Sequence, residues 1–156
     1  MLADTFCNRT GPMTLDDILE NFEFLDEWED KYRYVIELGR GMPEFPDKMR
    51  TDTYKIKGCV SQVWLVKHVD ASAGEPVLSY EGDSDAHIVK GLVALVLAAF
   101  SGRKASQIVA FDTDAMFDRI GLREHLTPQR SNGLSAMVRR IKQDAQDALA
   151  MTPNDA

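Results

Sequence analysis

Cysteine is scarce in this chain of 156 residues: there are two, Cys7 and Cys59. Two thiols cannot build an all-cysteine zinc site, and C-x-x-C spacing is absent. They can form one disulfide at most, which a reducing compartment disfavours as a structural staple. Histidine is nearly as rare, with three residues. Long apolar runs are missing as well. The longest, residues 92–100, falls far short of the ~20 residues that a membrane-spanning helix needs. Residues 1–13 carry Asp4 and Arg9 and no apolar leader segment. Positive charge is short: 18 basic residues stand against 25 acidic ones, for a net charge of −7. Nucleic-acid binding needs a basic footprint to neutralise phosphates, so that class is disfavoured. Gly39-Arg40-Gly41 lacks the further glycine and the lysine of a phosphate loop. These absences lead us to expect a cytoplasmic protein with neither a membrane nor a nucleic-acid partner.

What is present suits one globular domain: 44% of residues are hydrophobic and 28% charged. Residues 1–13 read as a disordered tail, 14–150 as a single domain and 151–156 as a frayed end. Thr14-x-x-Asp17 resembles a capping box, and Leu15, Ile18, Leu19 and Phe22 share one helical face behind it. A second helix is predicted over 26–38, ended by Gly39 and Gly41 and stopped by Pro43. The period then changes. Segments 54–58, 60–69 and 76–81 are rich in β-branched and aromatic residues and read as three strands of an antiparallel meander. A buried, nearly all-apolar helix follows over 85–100. Shorter helices are expected over 105–109 and 114–120, and an amphipathic one over 132–149. The fold class is therefore α/β in the α+β sense: a three-stranded antiparallel sheet packed with helices.

Cys59 is the candidate for chemistry. Buried cysteines are usually inert filler. Here Gly58 frees the backbone before the thiol, and the pair lies between two predicted strands. Lys55 and Lys57 are near enough in sequence to favour a thiolate if their heads turn inward. Cys7 lacks this setting. His68, His87 and His125 offer a base for a cysteine enzyme, but no local signature of such enzymes surrounds Cys59. Asp83 and Asp85 could be paired acids or metal ligands; before an apolar helix, capping is the plainer reading. Gly102-Arg103-Lys104 reads as a solvated turn, and Trp28 and Trp64 as core aromatics.

Together, several motifs resemble the SufE family of sulfur-acceptor proteins, including its paralogue CsdE. They are Gly58-Cys59-Val60-Ser61-Gln62-Val63-Trp64, Trp28-Glu29-Asp30-Lys31-Tyr32, Tyr34-Val35-Ile36-Glu37-Leu38-Gly39, Gly82-Asp83-Ser84-Asp85-Ala86, Ile88-Val89-Lys90-Gly91-Leu92, and His125-Leu126-Thr127-Pro128 with Arg130-Ser131 and Gly133-Leu134. The resemblance covers residues 15–147. It implies a fold shared with the IscU/NifU scaffold proteins. It also implies that Cys59 accepts a persulfide sulfur from a cysteine desulfurase of the SufS or CsdA type, activates that enzyme, and passes the sulfur to a SufB-containing scaffold for iron–sulfur cluster assembly. Gly58, Ser61, Gln62, Asp85 and Arg130 would bind the partner or support the cysteine loop. Asp85 and Arg130 would lie near that loop or the surface facing the desulfurase. Val60 and Asn132 depart from the glutamines often found at those places.

The expected carrier is not itself an enzyme and has no cofactor beyond a transient persulfide on Cys59; pyridoxal phosphate belongs to the partner. A monomer or weak dimer is expected. Val60, Val63 and Trp64 offer a shelter for the persulfide, and a mobile Gly58-Cys59 loop would present it. The alternatives are an iron–sulfur scaffold of the same fold, which typically needs three cysteines, and a stand-alone cysteine enzyme, which needs a histidine beside the thiol.

Overall fold

The computed structural model describes residues 14–56, 62–72 and 74–151. The first helix, α1 (Leu15–Phe24), starts as its sequence dictates. The Asp17 N–H donates to Thr14 Oγ1 at 3.2 Å, and the Thr14 N–H donates to the Asp17 carboxylate at 3.3 Å. Its buried face is Leu15, Ile18, Leu19 and Phe22, as the periodicity predicts.

The second helix, α2 (Trp28–Arg40), begins two residues later than expected and runs through Gly39. The reason lies in the long helix α3 (His87–Phe100), which crosses it. A Cβ on Gly39 would fall 2.7 Å from the Gly91 nitrogen, and one on Gly91 would fall 2.0 Å from the Val35 carbonyl oxygen. Both glycines are needed for two backbones to touch. Gly39 is therefore a packing residue rather than a stop, and Gly41 alone forms the C-cap.

The sheet has three antiparallel strands in the order β1-β2-β3. Strands β1 (Val63–Asp70) and β2 (Val77–Ser84) form a long hairpin, with Val63 opposite Ser84 and Asp70 opposite Val77. Strand β3 (Arg103–Lys104) pairs with Leu78 and Val77. Three strands are present as expected, but their membership differs. Of the predicted strand over 54–58, the described residues 54–56 make one bridge, Lys55 to Trp64, flanked by Ile56 N–H to Val63 O (2.8 Å) and Leu65 N–H to Tyr54 O (2.9 Å), and the remainder lies outside the described residues. The backbone just before it is turned, with Tyr54 N–H bonded to Thr51 O and Lys55 N–H to Asp52 O. A turning chain cannot also form an extended ladder. The third strand is the Arg103-Lys104 pair that reads in sequence as a solvated turn. Gly102, at φ +82°, brings the chain back so that its N–H donates to Leu78 O. The connection from β2 to β3 thus passes through α3, and the sheet is not a meander.

Helix α3 starts at His87, two residues later than expected, and lies on the sheet. Leu92, Val93, Leu95, Val96, Ala99 and Phe100 are buried there. At Gly82 a Cβ would strike Val93 and Leu65 side chains below 3 Å, so this strand residue admits the helix only because it lacks one. Helices α4 (Ala105–Ala110) and α5 (Thr113–Ile120) fall where predicted. The last helix, α6 (Pro128–Met151), starts four residues before its predicted boundary. Proline suits a first helical position because its missing N–H has no partner there anyway. Thr127 precedes it, and Thr127 Oγ1 accepts the Arg130 N–H. Leu134, Met137, Ile141 and Ala145 of α6 join the main core. A separate cluster of Phe45, Trp64 and Val66, with Met49 and Tyr54 against it, stands apart from that core.

Candidate functional site

Gly58, Cys59 and Ser61 lie outside the described residues, as do Lys57 and Val60. The residues on either side of them are Ile56 and Gln62. Ile56 is buried and bonded to Val63. Gln62 is bonded twice to one residue. Its N–H donates to Asp85 Oδ1 at 3.1 Å, and its C=O accepts the Asp85 N–H at 3.2 Å. The structure therefore joins two of the predicted site residues, Gln62 and Asp85. It also corrects the capping reading of Asp85: the N-cap of α3 is Ala86, which makes no side-chain cap. The Asp85 carboxylate serves the backbone beside the cysteine segment instead. Ser84 Oγ accepts the Ala86 N–H.

Asp83 is not a cap either. It is a strand residue, 4% exposed, directly opposite Trp64. Its Oδ2 accepts from Arg50 Nε at 2.9 Å and lies 2.8 Å from Nη2, one oxygen shared by two guanidinium nitrogens. Its Oδ1 lies 3.5 Å from Lys90 Nζ. Arg50 also contacts Asp47 and lies over the Phe45 ring, 5.6 Å from its centroid. The hydrogen bond to Asp83 holds the Arg50 guanidinium above its ordinary range. Sequence reasoning does not assign Arg50 or Lys90 to the site. Arg50 reaches its partner across 33 residues, and no local pattern announces such a pair.

Arg130 is placed differently. Its Nη1 donates to Tyr32 Oη at 2.6 Å, tying the start of α6 to α2. Near it, His125 stacks on Trp28 with centroids 3.8 Å apart and planes at 24°. The two segments around Trp28-Tyr32 and His125-Arg130 thus pack together. The contacts of Arg130 are with Tyr32 and Thr127 rather than with Gln62 or Asp85.

His68 Nε2 lies 2.8 Å from Glu81 Oε2 on the exposed face of the hairpin. His87 opens α3. Among the described residues no group of three or more His, Cys, Asp or Glu could hold a metal ion. No described helix is long and apolar enough to cross a membrane. A cleft of about 730 Å³ lies by Leu38, Phe45, Tyr80 and Leu97, with neither Gln62 nor Asp85 in its lining. Val63 and Trp64, expected together in a shelter, separate: Val63 enters the main core and Trp64 the Phe45 cluster.

Residues 16–145 match the family described as SufE, an Fe-S metabolism associated domain. The chain belongs to the SufE family. An uncharacterized SufE-like protein of Rhizobium meliloti (strain 1021) is 57% identical over 136 residues, covering 87% of this chain and 97% of that one. A second SufE-like protein, from Rhizobium etli, is 56% identical over 133 residues, covering 85% and 90%. A solution structure of a hypothetical protein from Thermus thermophilus has the same fold, with a TM-score of 0.64 at 22% identity over 88% of this chain and 99% of that one. The motif resemblance to the SufE family is therefore borne out, and with it a role in iron–sulfur metabolism.

Proposed function

We propose that this SufE-family chain is a sulfur acceptor and activator for a cysteine desulfurase, and that Cys59 receives the sulfur. One observation carries the reading. The stretch matched by the family, residues 16–145, contains a single cysteine, because Cys7 lies before it. If the family's role in iron–sulfur metabolism runs through sulfur held on this chain, Cys59 is the group within that stretch able to form a persulfide.

The step is transpersulfuration. The Cys59 thiol loses its proton, and the thiolate attacks the terminal sulfur of the partner's cysteine persulfide. A new S–S bond forms at Cys59 and the partner's S–S bond breaks. The partner's cysteine leaves as a thiolate, so the sulfur moves with no net oxidation. The reaction needs an accessible thiolate and no resident cofactor; pyridoxal phosphate does its chemistry in the desulfurase. Asp85 supports this role by fixing the Gln62 backbone, three residues from the thiol. The partner is a desulfurase of the SufS or CsdA type, and the onward acceptor a SufB-containing scaffold. Cytoplasmic location fits a thiol that must stay reduced between transfers.

Desulfurase turnover tests the proposal. Formation of alanine from L-cysteine should rise when this chain is added with a reductant that clears the carried sulfur. Cys59→Ser and Cys59→Ala should abolish the rise, while Cys7→Ser should keep it. Full stimulation by Cys59→Ala would contradict the reading.

A further inference from the structure

Residues 47–56, on the N-terminal side of the cysteine motif, have little regular structure. From Asp47 to Ile56 the chain has one short 3-10 turn, a run of turns and a single bridge to β1. One charged contact joins this segment to the far side of the hairpin: Arg50 to Asp83, across β1 from Lys55. Asp83 also reaches Lys90 in the second turn of α3. Two residues further along the chain, Asp85 holds Gln62. The segments entering and leaving the cysteine motif are thus referred to the same short stretch, Asp83 near the end of β2 and Asp85 just past it.

We infer that Asp83 is a positioning residue for sulfur transfer, acting through Arg50 and Lys90. This inference rests on the reading of Cys59 given above. The carboxylate sits where a plain structural carboxylate is costly. It is 4% exposed, and a buried ion pair on its own is weak evidence of stabilisation. Its geometry does something more specific. The Oδ2 oxygen, shared by Nε and Nη2, holds that edge of the Arg50 guanidinium, and Arg50 in turn covers Phe45, which packs with Trp64 and Val66. Trp64 is the bridge partner of Lys55 and the cross-strand partner of Asp83. Carboxylate, guanidinium, aromatic cluster and bridge therefore set the approach of residues 50–56 as one unit. A thiol delivered to another protein's persulfide must arrive in line with an S–S bond, so small displacements at its base are costly in rate.

The test uses the full chain in a Cys7→Ser background and compares Asp83→Asn with Tyr80→Phe. Tyr80→Phe removes a buried hydrogen bond from β2 to Asp144 of α6, away from Asp83 and Arg50. The rate of sulfur loading onto Cys59 from a desulfurase and L-cysteine should fall about tenfold or more in Asp83→Asn, toward the ~100-fold that a misplacement of about 1 Å can cost. Tyr80→Phe should stay within about twofold at matched thermal stability. Arg50→Lys keeps the charge but loses the planar fork, so it should fall between the two. Amide exchange at Ile56, Gln62 and Leu65 should accelerate in Asp83→Asn and not in Tyr80→Phe. Wild-type loading by Asp83→Asn, or equal losses in both variants, would overturn the inference. If wild type itself loads no sulfur, the reading of Cys59 fails, and the role given to Asp83 falls with it. Faster exchange in Asp83→Asn would then mark a clamp that serves another chemistry.

Discussion

Where α2 crosses α3, backbone meets backbone through Gly39 and Gly91, with Val35 fully buried between them. Where residues 50–56 meet the end of β2, a carboxylate sits between two cations. The first junction is apolar, close-packed and intolerant of an added methyl group. The second is polar, partly open at Arg50 and Lys90, and anchors a segment with little regular structure. The contrast separates what holds the fold from what orients the site. Close packing fixes the helices against each other. The ionic corner leaves the adjoining segment dependent on a few directional contacts, which is where a change can alter transfer without unfolding the domain.

Gly91→Ala should break the first junction most severely. Its Cβ would sit 2.0 Å from the Val35 carbonyl oxygen, inside any tolerable contact. A loss of about 3 kcal/mol or more is expected from overpacking against backbone, seen as a lower urea midpoint. Sulfur loading by the fraction still folded should be unchanged. An unshifted midpoint would mean that the crossing is looser than the geometry states.

Asp83→Asn probes the second junction and should cost about 1–3 kcal/mol, the range for removing a charged hydrogen-bond partner. The comparison is sharpened by the ordering: less stability lost than in Gly91→Ala, but more transfer lost. The reverse ordering would erase the distinction between the two regions.

Tyr80→Phe should cost about 1 kcal/mol by equilibrium unfolding, since one buried hydrogen bond is lost. Asp144 keeps Arg140 and Lys67 nearby. Burial, then the Asp144 charge, pushes the Tyr80 phenol well above its ordinary range. Wild type should therefore show no ionisation of this tyrosine at pH 10 by ultraviolet difference spectra.

Glu75→Ala should have the smallest effect. The Glu75 carboxylate accepts the Ser106 N–H at 2.8 Å, at the first turn of α4, and hydrogen bonding from the Ser106 side chain first, then from its backbone, lowers its pKa from the ordinary 4.5. A depressed folded pKa stabilises the fold above the ordinary carboxylate range, and that contribution is lost as pH falls through the folded value. The difference in thermal midpoint between wild type and Glu75→Ala should be present at pH 7 and vanish in acid. A difference that grows as the pH falls would contradict the assignment.

Much of this architecture is legible in sequence where the signal is local. The capping box at Thr14 and Asp17, the apolar faces of α1 and α6 and the unbroken apolar run of α3 each follow from neighbouring residues. The site's supports are less so. Gly39 reads as a helix stop because its real partner, Gly91, is brought to it only by the fold. Asp83 and Asp85 read as caps because the sequence after them is helical, while their actual partners come from 33 and 23 residues upstream. Arg103-Lys104 reads as a solvated turn because two residues carry no strand period; Gly102 and the free edge of β2 make them a strand. The family motifs contain Gln62 and Asp85, which the structure joins, but the ionic contact at Asp83 depends on Arg50, a residue in none of them.

The central claim is that Cys59 carries sulfur. Intact mass measurement, after incubation with a cysteine desulfurase and L-cysteine and without reductant, tests it most directly. Wild type and Cys7→Ser should each gain the mass of one sulfur atom, reversible by a thiol reductant, and Cys59→Ser should gain none. An equal gain in Cys59→Ser, or no gain in wild type beside an active desulfurase, would contradict the account.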